Sequence, residues 1–129
     1  MENLGIIGLI LLVVNFLYTY QGLKKISFFD ENLFRVQDIL NYKEYKRLIS
    51  AGFLHVDWWH FGFNMLTLYF FSSSLEIKMG LIPFILLYFG SLIGGNLISL
   101  YIHRNHSDYS AVGASGAVSG VVFACIALF

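Results

Sequence analysis

Three polar residues stand in apolar surroundings at positions where their side chains could do chemistry. Ser115 lies in the Gly-Ala-Ser-Gly sequence at 113–116, in the first turn of a predicted helix. Free backbone N–H groups and the positive end of the helix can stabilise a negative charge that develops beside its hydroxyl. His60 and Asn64 are four residues apart on another predicted helix, so both project from one face as a plausible pair of donors.

The same residues also have purely structural interpretations. Small residues around Ser115 could simply let a neighbouring membrane helix approach closely. Ser115 does not lie in a G-x-S-x-G nucleophile elbow, because Ala117 occupies the position of the last glycine. His60 and Asn64, with Thr67 on the same stripe, could serve only as interhelical hydrogen-bonding groups. Each motif taken alone therefore leaves both catalysis and packing open.

The composition predicts that lipid surrounds much of the chain. Of its 129 residues 57% are apolar and 12% are charged, whereas soluble domains carry about 25% charged residues. The formal net charge is zero, which argues against a nucleic-acid partner, since that would require a concentrated basic patch. Cys125 has no partner for an intrachain disulfide and is expected to be a small buried apolar group. No carboxylate–histidine cluster has metal-ligand spacing, so no metal or cofactor is predicted.

Four stretches approach the roughly 20 apolar residues that a helix needs to cross a bilayer. They lie at residues 4–20, 58–77, 81–101 and 112–129. Asp57 is a predicted N-cap of the second helix, and Pro83 is tolerated in the first turn of the third. Short turns predict antiparallel neighbours, and the expected fold is an all-α polytopic membrane bundle. A signal peptide is the alternative for the first stretch, although Glu2 stands where a positive region should be.

The segment at residues 21–57 differs from these apolar stretches. It holds six of the eight basic and five of the eight acidic residues, yet it remains rich in aromatic and aliphatic side chains. Leu33, Val36 and Leu40 have the spacing of an amphipathic helix. We interpret the segment as a folded loop in the membrane interface. The positive-inside rule alone would place it in the cytoplasm.

In their order along the chain, several motifs resemble the rhomboid family of intramembrane serine proteases. Residues 47–55 are similar to the loop segment before the second helix of that family. Residues 60–64 match its H-x-x-x-N motif, and residues 113–116 match its G-x-S-G motif. The resemblance is close over about residues 43–129 and covers the first helix by position only. It implies a partial rhomboid domain over residues 1–129.

The resemblance implies a role for each matched residue. Ser115 would attack the scissile carbonyl in the transmembrane segment of a substrate protein. His60 and Asn64 would donate side-chain hydrogen bonds to the oxyanion, beside the backbone N–H of Ser115. His55 and Arg47 would shape the loop rather than take part in the chemistry.

Two further positions bear on the resemblance. Glu76 would tie the end of the second helix to its surroundings. Lys46 departs from the family, which often has the tryptophan of a Trp-Arg pair at this position; this affects the seating of the loop in lipid rather than the chemistry. The family places the 21–57 loop outside the cytoplasm, and we follow the resemblance over the positive-inside rule.

A serine nucleophile needs a general base, which in the family is a histidine on the sixth helix. This chain has four histidines: His55, His60, His103 and His106. His103 and His106 are expected to be solvated residues of a turn on a face opposite or oblique to the serine. The apolar run still in progress at Phe129 predicts truncation after the fourth membrane helix. The base is thus expected beyond residue 129, and this polypeptide alone is expected to be inactive.

Two other functions remain open at this stage. A rhomboid-like pseudoprotease would bind transmembrane segments without cutting them, although it has no chemical need for all three of Ser115, His60 and Asn64. A small transporter or channel subunit would need only the helices and a few intramembrane polar groups. For the protease, the expected partners are transmembrane protein substrates and the lipid bilayer, and the expected location is multi-pass in the cell membrane.

Overall fold

A computed structural model describes residues 5–129 of the chain, and helices dominate it. The helices are α1 (Ile6–Lys24), α2 (Ile26–Asn32), α3 (Val36–Leu40), α4 (Arg47–Ser50), α5 (Trp58–Met79), α6 (Leu81–Ile102) and α7 (Ser115–Leu128). A 3-10 turn at Ala51–Phe53 follows α4. Two short strands, β1 (Phe34–Arg35) and β2 (Ser110–Ala111), pair in an antiparallel manner. The predicted all-α membrane bundle is confirmed, with this strand pair as a small addition.

The long helices differ in how apolar they are. Helices α1 and α6 are both long and apolar enough to cross a membrane. Their exposed side chains include Ile82, Leu86 and Ile98, each at least 62% exposed, and an apolar surface of this extent suits lipid rather than water. Helix α5 has 22 residues, but its polar side chains make it less apolar than α1 and α6. Helix α7 is apolar and has 14 residues.

Three helix boundaries differ from the prediction by at least three residues. Helix α1 continues to Lys24 instead of ending at residue 20; its predicted start at Leu4 lies outside the described residues. The amphipathic helix predicted over residues 33–40 is wrong for its first part, because Phe34–Arg35 is a strand and only Val36–Leu40 is helical. Helix α7 begins at Ser115 rather than at residue 112, because Gly113 has φ 126°, which no α-helix contains.

Two apolar clusters hold the elements together. The main core joins the four long helices through side chains such as Leu11, Leu68, Tyr88 and Val121, which are all buried. A smaller cluster lies under the segment that links α1 to α5 and consists of Phe34, Val36, Ile39 and Ala51. This segment is therefore folded against the bundle, as predicted, and is not a solvated linker.

The ends of the helices carry specific contacts. The Asp57 carboxylate accepts the backbone N–H of His60 at 2.9 Å and so caps α5, as predicted. At the other end of α5, the Glu76 carboxylate accepts the backbone N–H groups of Ile7 and Gly8 at 2.9 and 3.3 Å. Glu76 thus ties the end of α5 to the start of α1. The opposite end of the bundle holds the 25–57 segment, the strand pair and the start of α7.

Candidate active site

The backbone that leads into Ser115 is held at two consecutive amide groups. The N–H of Gly113 donates to the carbonyl of Ala51 at 2.9 Å. The N–H of Ala114 donates to Nε2 of His55 at 3.3 Å. Ser115 follows as the first residue of α7 and is exposed. Its position is therefore set by the 3-10 turn and the loop before α5, and not by α7 alone.

His55 is the central group of this arrangement. It is 1% exposed, and its Nδ1 lies 2.9 Å from Oγ1 of Thr19 on α1. Because the Thr19 hydroxyl donates to the carbonyl of Phe53 at 3.1 Å, its oxygen accepts the Nδ1–H of His55, and Nε2 is left to accept from Ala114. The pKa of His55 is lowered to about 4, mainly by burial and also by the charge of His60, while Asp57 opposes both effects. The ring is therefore neutral at neutral pH, in one tautomer.

His60 is oriented by the residue that caps its own helix. Its Nδ1 lies 2.7 Å from Oδ1 of Asp57. The backbone and ring hydrogen bonds that Asp57 accepts from His60 lower the pKa of the Asp57 carboxyl, so the carboxylate accepts and Nδ1 carries a proton. Nε2 of His60 can then donate only when the ring is protonated, because neutral imidazole has a single N–H.

The structure brings Ser115, His60 and Asn64 to one cleft of about 550 Å³. His55 also borders the cleft, and most of the remaining lining is apolar, as at Phe63. Within residues 5–129, the Ser115 hydroxyl and the Asn64 amide make no hydrogen bond. A hydroxyl, an imidazole and an amide thus border one cleft, beside the start of α7.

Thr67, on the same predicted stripe as His60 and Asn64, does not line this cleft. Its hydroxyl donates to the carbonyl of Phe63 within α5 at 2.9 Å. A second cavity, of about 280 Å³, lies on the other side of Ser115 and is lined by polar groups of α6 that include Asn96 and Ser99. Ser115 therefore lies between two cavities, and only one of them contains the candidate donors.

Arg47 joins several parts of the loop that borders the site. It is 5% exposed, and its guanidinium donates to the carbonyls of Asp30 and Leu33 at 2.7 and 2.8 Å. It also pairs with the carboxylates of Glu44 at 2.8 Å and Asp38 at 3.6 Å. Burial of an arginine is costly unless its donors are satisfied, and here they hold α2, α3 and α4 together.

The remaining histidines lie closer to the serine end than predicted. His103 follows α6, and the turn after it packs on the loop, since the carbonyl of Tyr109 accepts the N–H of Val36 at 3.1 Å. The turn that holds His103 and His106 does not lie opposite the serine, because Tyr109 of this turn and Ser115 line one cavity; the oblique placement of the two histidines stays a prediction. Neither residue lines the cleft that contains Ser115.

Sequence reasoning missed two contributors to this site. Thr19 was not singled out, although a polar residue in an apolar helix is a usable signal, and Asn15 one turn earlier is buried on the same face. Asp57 was predicted only as a cap, although it lies three residues before His60 and can also reach its ring. In the described part of the chain, no group of three or more His, Cys, Asp or Glu could hold a metal ion.

Comparisons with known proteins agree with the motifs. Residues 42–129 match the family model described as the rhomboid domain. Rhomboid protein 1, mitochondrial, of Saccharomyces cerevisiae is 40% identical over 78 residues, which cover 58% of this chain and 22% of that protein. The putative rhomboid protease YdcA of Bacillus subtilis is 41% identical over 78 residues, which cover 60% of this chain and 38% of that protein. RHOMBOID-like protein 4 of Arabidopsis thaliana is 40% identical over 88 residues, which cover 67% of this chain and 21% of that protein.

The chain spans between about a fifth and two fifths of the length of these curated relatives. Several relatives carry names that place them in organelles, such as the mitochondrial yeast protein and the chloroplastic RHOMBOID-like protein 11 of Arabidopsis thaliana. The match supports a membrane protein, and it gives no support to the expected location in the cell membrane.

Proposed function

Because the chain belongs to the rhomboid family, we propose that it carries the nucleophile and oxyanion donors of an intramembrane serine endopeptidase. Ser115 is the proposed nucleophile, and His60 and Asn64 are the proposed side-chain donors. The substrates are transmembrane segments of other proteins, which must unwind locally to expose a scissile bond. The proposal concerns the chemistry and not a particular cellular membrane.

One observation carries the proposal: Ser115, His60 and Asn64 line the same cleft although Asn64 and Ser115 are 51 positions apart in the sequence. A packing role for each motif would not require the three polar side chains to share one space. The apolar walls of the cleft suit a lipid-soluble substrate segment. The fixed backbone before Ser115 also supports the proposal, since an oxyanion site requires N–H groups that do not move during the reaction.

The Asp57–His60 pair adds a condition to the mechanism. Asp57 orients the ring by accepting its Nδ1–H, so Nε2–H can donate to the oxyanion only from the imidazolium form. His60 is then unsuited to accept the serine proton, since a protonated imidazole has no free lone pair. His55 cannot take that proton either, because both of its ring nitrogens are hydrogen-bonded. By the resemblance to the family, we propose that the base is a histidine outside residues 1–129.

A fluorophosphonate probe tests this proposal in the full-length gene product purified in detergent. The probe should label the wild-type serine, and the protein should cleave a reporter that contains a transmembrane segment. Ser115→Ala should abolish both signals. Ser119→Ala is the matched control, because Ser119 is an exposed serine one turn later on α7, and it should leave labelling and cleavage intact.

A pseudoprotease is the second candidate, and one observation favours it. Within the described residues, no histidine other than the donor His60 is placed in the serine cleft with a ring nitrogen that hydrogen bonds leave free. A pseudoprotease would bind transmembrane segments without reacting with the probe. Absence of labelling in a folded full-length protein, identical to the Ser115→Ala variant, would establish this candidate over the protease.

A further inference from the structure

A pair of histidines in the turn between α6 and α7 takes no part in the proposed reaction. The Nδ1 atoms of His103 and His106 are 3.2 Å apart. The backbone N–H of His106 donates to the carbonyl of His103 at 2.8 Å, so a tight turn holds the two rings together. Two imidazole nitrogens at this distance share either a proton or a cation, because two lone pairs or two N–H groups would repel each other.

The surrounding turn holds one of these rings rigidly. The ring of His103 stacks on that of Tyr109, with centroids 3.6 Å apart and planes 5° from parallel. Tyr109 lies edge-on to Phe34 at 6.1 Å, and its carbonyl accepts the N–H of Val36. The folded loop therefore positions the His103 imidazole in advance, which lowers the entropy cost of binding a ligand there.

The positively charged side chain next to the histidine pair, that of Arg104, makes its contacts with other groups. Arg104 lies between the two histidines in sequence, but its guanidinium donates to the carbonyl of Tyr101 at 2.6 Å. It also lies over the Tyr101 ring, 4.2 Å from the centroid. The one basic side chain inside the turn is thus held on α6 by its own contacts, and it does not occupy the space between the two Nδ1 atoms.

We propose that His103 and His106 form a binding site for a divalent transition-metal ion of the zinc type. Two nitrogens that each lie about 2.0–2.1 Å from a tetrahedral zinc ion are roughly 3.3 Å apart, close to the distance observed between the two Nδ1 atoms. Binding shifts the Nδ1 proton of one ring to its Nε2, so that both Nδ1 lone pairs face the ion. Water completes the coordination, because the pair is exposed and no third ligand from the described residues joins it.

The site would act on the turn that leads into the strand pair β1–β2 and then to Ser115. Tyr109 packs on His103 and directly precedes β2, and β2 pairs with β1. Metal bound to the two imidazoles fixes the turn itself, and because Tyr109 of this turn packs on Phe34 and precedes β2, it stiffens the backbone that leads to Ser115. The metal is peripheral to the proposed hydrolysis and is not its cofactor.

Titration of the purified chain in detergent with zinc chloride, followed by calorimetry, tests the site. One zinc ion per chain should bind, and His103→Asn and His106→Asn should each weaken binding by at least about tenfold. Asn105→Ala, in the same turn, should bind like the wild type. His60→Ala removes the other exposed imidazole with an adjacent acceptor and should also retain binding.

His106→Asn keeps the proposal testable if His103→Asn unfolds, because it leaves the stack of His103 on Tyr109 intact. Electron paramagnetic resonance with Cu²⁺ provides a second measurement: two coupled imidazole nitrogens are expected in the wild type and one in His106→Asn. No saturable zinc binding to the wild type overturns the proposal. Unchanged binding by a folded His106→Asn chain, or loss of binding in His60→Ala alone, overturns it as well.

Discussion

Nε2 of His55 accepts the backbone N–H of Ala114, the residue directly before the candidate nucleophile Ser115, at 3.3 Å. The other ring nitrogen is held by Thr19 of α1. A single neutral imidazole therefore joins the first membrane helix, the loop before α5 and the start of α7. We expect the position of the serine to depend on this ring, which borders the serine cleft but has no ring nitrogen free to bind a substrate.

The first prediction concerns the stability of the chain against acid. The pKa of His55 is about 4 in the folded chain and 6.5 ordinarily, so the unfolded state binds a proton more readily between these values. The contribution of His55 to stability is therefore full above pH 6.5 and is lost as the pH falls toward 4, by at most about 3 kcal/mol. The thermal midpoint in detergent should be lower at pH 5 than at pH 7.

The variant His55→Gln separates this effect from other titrations. The glutamine oxygen can still accept the N–H of Ala114, but a glutamine side chain does not titrate. The thermal midpoint of the variant should therefore fall less between pH 7 and pH 5 than that of the wild type. An equal fall in His55→Gln and the wild type would show that other groups, such as Asp30 beside Arg35, cause the acid sensitivity.

A second prediction concerns the oxyanion donors. His60→Ala and Asn64→Ala should each lower kcat of the full-length protease by roughly 10²–10³-fold, which corresponds to about 3 kcal/mol of lost transition-state stabilisation. Cleavage of a transmembrane reporter at saturating substrate measures this change. Thr67→Ala, one turn farther along α5, should leave kcat nearly unchanged, because its hydroxyl bonds only to its own helix. Equal effects from all three variants would count against the donor roles.

Gly113 provides a test of the backbone before the nucleophile. Its φ of 126° is rarely adopted by residues with a side chain, so Gly113→Ala should lower the free energy of unfolding by about 1–3 kcal/mol. The loss should appear in the thermal midpoint and in the rate of fluorophosphonate labelling of Ser115. Gly90→Ala is the control, because its Cβ meets nothing within 4 Å in the middle of α6. It should be neutral or stabilising.

Among the residues of the loop, Arg47 should be the one whose removal lowers the free energy of unfolding most. Arg47→Ala leaves two buried carbonyls without their donor and Glu44 without its cation, whereas Asp38 keeps its pair with Arg35, so we expect the free energy of unfolding to fall by roughly 2–5 kcal/mol. Urea unfolding in mild detergent measures it. Lys46→Ala is the neighbouring control: Lys46 is exposed and makes one 3.4 Å hydrogen bond, so its removal should change stability by less than about 0.5 kcal/mol. Similar losses in both variants would contradict the role of the buried guanidinium.

Predictions from short sequence patterns were correct where the structure depends only on residues close together in the sequence. The N-cap at Asp57 depends on one side chain and the first turn of α5, and the apolar runs depend on composition. The periodicity of Leu33, Val36 and Leu40 failed for a non-local reason. Phe34 and Arg35 pair with Ala111 and Ser110, and a partner more than 70 residues away cannot be read from spacing.

The sequence by itself determined the helical membrane architecture and the residues able to do the chemistry, because apolar length and side-chain type are properties of each segment. The tertiary structure alone decided that Ser115, His60 and Asn64 share one cleft and that His55 stays neutral. It also decided that the turn with His103 and His106 lies at the serine end. These outcomes depend on burial and on hydrogen bonds between distant segments, which exist only once the helices have packed.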